Sequence, residues 1–324
     1  MTQKPSRSRN HSRQHPPPGW QDPLRQQQPL VSHRWLLRAL GIALGLALVC
    51  AYLALCLLFY QGGWQLLFHP SHAGTATPAN VGMRYEDIHF DATETGRLQL
   101  TGWWISAEPP ARYDGAAMLY LHGAEGSLSD TLPQLRMLHA LGINLFAIDY
   151  RGFGKSMAAH PSEQSVYEDA DAAIEYLSDT RKLDTKRIVI YGEGLGATIA
   201  AEAARRHPLA AGLVLENPMP PALEQIAGDR RTGMLPVRML FADRFELAPK
   251  LSTLATPKLF LQTQPDASSH TAQERLLSLY KVASEPKRLV PAQGTRYFEA
   301  MLRFLDDSLR KDSPAPPKPE AAAP

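Results

Sequence analysis

Residues 39–60, ALGIALGLALVCAYLALCLLFY, contain no charged side chain. No other feature restricts the possible folds of the chain as strongly. Such a run makes a helix about 33 Å long at about 1.5 Å per residue, enough to cross a hydrocarbon core about 30 Å thick. Trp35, Tyr60 and Trp64 stand at its edges, where amphipathic rings settle between headgroups and water. The run is too long for a signal peptide and no small-x-small cleavage site follows it, so it reads as an uncleaved, single-pass anchor in a lipid bilayer. Charge is distributed unevenly around it. The chain is +2 overall, but residues 1–38 are +6 and the remainder −4. Residues 61–83 carry no Lys or Arg, so the positive-inside rule places the N-terminus in the cytoplasm and the following domain on the other side. The basic head has no interleaved aromatic series and runs directly into the anchor, which argues against nucleic acid as a partner. Both cysteines, Cys50 and Cys56, lie within the run, leaving the rest of the chain without a disulfide or a thiol nucleophile. Gly41 and Gly45 form one G-x-x-x-G pair, a spacing that permits helix pairing without requiring it, so the oligomeric state stays open.

The anchor with its flanks, 35–64, separates two kinds of sequence. Residues 1–34 are rich in Pro, Gln, Ser and Arg, and 312–324 in Pro and Ala; both are too poor in apolar side chains to offset the entropy of ordering and are expected to be unstructured. From 81 to 311, strand-like and helix-like segments alternate without internal repeats. YEDIHF and RLQLTGWWIS read as strands joined by a turn at DATETG. Then AAMLYLHG, INLFAIDY, RIVIYG, AGLVLEN, KLFLQT and KRLVPA read as buried strands. Between them QLRMLHALG, SEQSVYEDADAAIEYLSD, ATIAAEAARRH, TAQERLLSLYKV and RYFEAMLRFLDDSL read as helices. This pattern implies an α/β fold with a mostly parallel central sheet, helices on both faces and ligands at the carboxyl ends of the strands. An insertion at 218–250 breaks the alternation and is expected to form a short cap over the cleft.

Three short motifs fall at successive strand ends: HGAEG (122–126), DYRGFGKS (149–156) and GEGLG (192–196). In this order and spacing, the chain resembles the α/β-hydrolase superfamily, in its membrane-anchored, peptidase-like and acylglycerol-lipase-like branch. GGWQLLFHPS after the anchor and ADRFELAPKLSTLATPKLFLQ before the seventh strand are similar to that branch too. The resemblance implies an oxyanion hole from the amides of Ala124 and Leu195, and a Ser-His-Asp triad whose nucleophile sits in a G-x-S-x-G elbow. At that position stands Gly194. The acid position matches Asp266, and the histidine position, after the last strand, matches Thr295. The last histidine of the chain is His270, upstream of that strand.

Serine supplies the oxygen that becomes acylated, and imidazole takes and returns its proton, so the two act as a unit. Losing that unit costs on the order of 10⁶-fold in turnover. The expectation is a catalytically impaired relative that binds a small acyl or peptide ligand or acts as a scaffold. Two alternatives stand beside it. One is an ester or peptide hydrolase with a displaced nucleophile; Ser127, Ser156 and Glu193 are the groups near the motifs, and each reads more simply as a turn former or structural carboxylate. His122 reads as a residue that orients its loop, and His270 as a helix-starting residue facing solvent. A dinucleotide-binding protein could use Gly192, Gly194 and Ala197 as G-x-G-x-x-A, with Glu216 near the ribose. Against that, the fingerprint follows four strands that already carry hydrolase motifs. No His, Cys, Asp or Glu cluster has metal-ligand spacing, and no cofactor is expected.

Overall fold

The computed structural model describes residues 32–72, 74–91, 99–263, 269–291 and 294–309. Residues 1–31 and 310–324, most of the DATETG turn, and Asp266 lie outside them. Contacts divide the chain after Leu55.

Helix α1 (His33–Gly62) has no buried residue. It is apolar on every side, with no polar stripe to mark a solvent face, and it is long and apolar enough to cross a membrane.

The second unit is built on eight strands: β1 (Tyr85–Asp91), β2 (Gln99–Ile105), β3 (Ala117–Leu121), β4 (Asn144–Asp149), β5 (Ile188–Glu193), β6 (Gly212–Glu216), β7 (Lys258–Gln262) and β8 (Lys287–Pro291). They lie in the order β8-β7-β6-β5-β3-β4-β2-β1. Pairing is parallel from β8 to β4, while β2 runs antiparallel to both of its neighbours. Every residue of β3 and β6 is buried, as strands covered on both faces require.

The helices are α2 (Leu132–His139), α3 (Glu163–Glu175), α4 (Gly196–Arg206), α5 (Ala222–Gly228), α6 (Val237–Leu240), α7 (Ala248–Leu251), α8 (Ser269–Val282) and α9 (Thr295–Leu309). Strand alternation sends Leu119, Leu121, Phe146, Ile148 and Ile190 to one face, into a core shared with α3, α4 and α8. It sends Met118, Tyr120, Leu145, Ala147, Val189 and Tyr191 to the other, against α2 and α9. The alternation expected from sequence is thus realised, with α5, α6 and α7 forming the insertion between β6 and β7.

The chain leaves β3 toward β4 on one side and returns to β5 on the other. The sheet order therefore reverses direction at β3 and β5, which opens a crevice at their carboxyl ends. The three motifs fall around that crevice.

Candidate functional site

Leu121 on β3 is in register with Gly192 on β5, so the loops leaving these two strands face each other. The turn from β5 into α4 is held from several directions. The Gly194 amide donates to the Glu216 carbonyl at 3.0 Å, and the Gly194 carbonyl accepts from the amides of Met219 at 3.2 Å and Ala197 at 3.3 Å. A Cβ on Gly192 would lie 2.1 Å from the Gly196 carbonyl oxygen, and one on Gly196 would lie 2.1 Å from that of Leu121. These two glycines let α4 pass close over the sheet. Gly194 differs from them. Its φ is +59°, the left-handed conformation of a nucleophile elbow, yet a Cβ there would meet only the Gly123 Cα at 3.8 Å, an ordinary contact. Space for a larger side chain is present; the side chain is not.

The loop after β3 forms the facing wall. Residues 125–126 pair in parallel with 69–70, and the Ala124 carbonyl accepts from the His69 amide at 2.8 Å. Ala124 and Leu195 are both buried, and among the described residues neither amide donates to an acceptor.

His122 is buried beneath this loop, with Nδ1 2.8 Å from the Gly123 carbonyl oxygen and its ring against Tyr150 and Phe153. Burial pushes its pKa down to about 4, so the ring is neutral at pH 7. Nδ1 then carries the proton donated to Gly123, and Nε2 has no hydrogen-bond partner among the described residues. Asp149, 3.9 Å from Nε2, is pushed up to about 6 by its own burial and accepts from the amides of Leu128 at 2.9 Å and Lys155 at 3.4 Å. A neutral imidazole beside this carboxylate is not an ion pair. Its role in the geometry is to shape the loop, as the sequence suggested.

The other groups weighed as nucleophiles are committed elsewhere. Ser127 precedes the turn Leu128–Thr131 and donates to Asp130 at 3.1 Å. Ser156 donates to the Asp149 carbonyl at 2.6 Å and accepts from the Thr101 amide at 2.9 Å. Glu193 accepts from the Tyr120 hydroxyl at 2.7 Å. Thr295 is exposed and is the first residue of α9. The backbone of His270 lies in the first turn of α8; its side chain, like Asp266, is outside the described residues.

Sequence reasoning missed one cluster. Gln134 Nε2, with two hydrogens to donate, lies 2.8 Å from the Tyr191 hydroxyl, 2.9 Å from the Glu216 carboxylate and 3.2 Å from the Tyr297 hydroxyl. The Tyr191 and Tyr297 hydroxyls are 2.9 Å apart, and Thr263 donates to Glu216 at 2.6 Å. Burial raises the Glu216 pKa, while the hydrogen bonds from Thr263, Tyr297 and Gln134 lower it. The sequence signal available was a carboxylate closing a fully apolar strand, which must find partners if buried. This placement corrects the dinucleotide alternative. The carboxylate that would meet a ribose is 3% exposed and already hydrogen-bonded, and the outer glycines are required by helix–sheet packing rather than by a bound pyrophosphate.

The protein family described as serine aminopeptidase, S33, matches residues 114–308. An uncharacterized protein of Mycobacterium tuberculosis is 31% identical over 278 residues, covering 85% of this chain and 94% of its own. The α/β-hydrolase domain-containing protein WAV2 of Arabidopsis thaliana is 33% identical over 177 residues, covering 52% of this chain and 55% of its own. The solved structure of an esterase from Pyrococcus furiosus, Pf2001, superposes with a TM-score of 0.58 at 20% identity, covering 75% of this chain and 99% of the esterase. At that identity the likeness speaks to the fold.

Proposed function

Because this chain belongs to the serine aminopeptidase S33 family of α/β hydrolases, we propose that it is a membrane-anchored member which keeps the scaffold of an acyl-transfer site without its nucleophile or base. It acts by binding or scaffolding, with a small acyl or peptide group as the ligand suited to the crevice. One observation carries this reading: Gly194 occupies an elbow whose backbone has nucleophile geometry and whose Cβ position is open. Hydrogen in place of a hydroxymethyl group leaves no oxygen to acylate. Thr295, at the histidine position, has no group that exchanges a proton near pH 7, which leaves Asp266 an acid without a base to orient. The Ala124 and Leu195 amides supply what remains, a pair of donors able to hold a carbonyl or carboxylate oxygen. Helix α1 holds the domain at the bilayer, with the basic head on the cytoplasmic side and the domain opposite.

Nitrophenyl-ester turnover by the full chain and by an Asp266→Ala variant tests the proposal. The expected rates are equal and do not saturate with substrate. A saturable rate that falls 100-fold or more in the variant would establish a hydrolase with a displaced nucleophile instead.

A further inference from the structure

The insertion carries the most exposed large apolar side chains of the described residues, and their position identifies what they meet. Helix α6 is a single turn. Val237 and Phe241, four residues apart, point inward and are buried, whereas Arg238 and Met239 between them point outward. Met239 is 86% exposed and Met234, just before the turn, 79%, more than any large apolar side chain of helix α1, where the highest value is 67%. Arg230, Arg231 and Arg238 are exposed around the two methionines. Arg231 is paired with Asp229.

This patch lies next to the point where the chain leaves the anchor. The Phe241 ring is 3.5 Å from the position a Cβ on Gly63 would take, and Phe59 packs there at the same distance. Trp64 stacks on His160 at 4.8 Å between ring centroids. Residues 59–64 and the insertion are therefore one packed body. Since the exposed Tyr60 closes the apolar run, the insertion is held at the level of the headgroups.

We infer that the segment 230–241 is an interfacial membrane contact, in which Met234 and Met239 enter the acyl boundary of the bilayer that holds α1, while Arg230 and Arg238 meet lipid phosphates. Flexible apolar side chains flanked by guanidiniums fit this environment, where a long cationic side chain keeps its head at the phosphate level. Anionic lipid strengthens such a contact. At its other end, the insertion touches the elbow through the Met219 amide and the Gly194 carbonyl. The crevice is thus joined by one short segment to the lipid surface. The inference rests on α1 crossing the membrane, and the experiment separates the two.

The full chain is reconstituted into vesicles of phosphatidylcholine and phosphatidylglycerol containing a phospholipid with a diazirine in the upper part of its acyl chain. After photolysis, adducts are mapped by mass spectrometry. Labelling within 39–60 reports on the anchor. Adducts in the tryptic peptides 232–238 and 239–244, at least tenfold above those at the exposed Leu209 and Leu277, are the expected result. In Met234→Asp/Met239→Asp the yield at 230–241 should fall at least fivefold with the anchor yield unchanged. Labelling of the anchor with 230–241 at the level of Leu209 would overturn the inference while leaving the anchor standing. No label in either region would remove the anchor reading and the inference with it.

Discussion

The two sides of the crevice differ in what their residues are for. On the β3–β5 side, the groups that look catalytic by position also hold the fold together. Gly192 and Gly196 let α4 approach the sheet, His122 fills a buried gap under its loop, and Asp149 ties three backbone segments. On the β7–β8 side, Thr295 is exposed at a helix start, and the nearby buried space is taken by Glu216, Gln134, Tyr191 and Tyr297. On the proposed reading, the contrast teaches that the shape of an acyl-transfer site can persist without its chemistry, because its backbone is enforced by packing. A catalytic hydroxyl or imidazole is enforced by nothing else.

The contrast can be broken most sharply at Gly192. A Cβ there meets backbone 2.1 Å away, so Gly192→Ala should destabilise the domain by at least about 4 kcal/mol; a thermal transition unchanged from wild type would show the elbow to be slack. The next largest effect concerns His122. Its folded pKa, about 4, lies below the usual 6.5, so the stability it contributes is complete above pH 6.5 and is lost as pH falls toward 4, by about 3 kcal/mol. Asp149, raised to about 6, has the opposite sign, since its contribution is complete below pH 3.8 and lost as pH rises through 6. Urea titrations of wild type and His122→Asn at pH 7 and pH 4 isolate the first term, and parallel curves at both pH values would contradict the neutral buried ring.

On the opposite side, Tyr297→Phe removes a hydroxyl shared by Gln134, Tyr191 and Glu216 and should cost about 2 kcal/mol, with ester turnover unaltered; a change in turnover would mean the cluster takes part in chemistry. The smallest effect belongs to Gly194→Ser. Space is available, and only the left-handed φ opposes the change, for about 1 kcal/mol. A loss as large as that of Gly192→Ala would erase the distinction between the middle glycine and its neighbours.

Much of this was legible before the structure. The alternating segments yielded every strand of the eight-stranded sheet within a few residues, because continuous apolar runs between amphipathic ones admit few arrangements. GEGLG named the elbow, although its spelling also fitted a dinucleotide loop; the burial of Glu216 among its hydrogen-bond partners separates the two. The Glu216 cluster draws on positions 134, 191, 216, 263 and 297, and no spacing joins residues that distant in sequence. The exposed methionines were equally hidden. GMLPVRML reads like core sequence, and one helical turn is too short for periodicity to show which side faces out.

Fluorophosphonate labelling tests the central claim most directly, because such probes form a covalent bond with an activated serine and need no knowledge of the natural ligand. Intact mass of the purified full chain after exposure to the probe should show no adduct, and Gly194→Ser alone should remain unlabelled for want of a base. A stoichiometric adduct on the unmodified chain would reveal a working nucleophile and contradict the account.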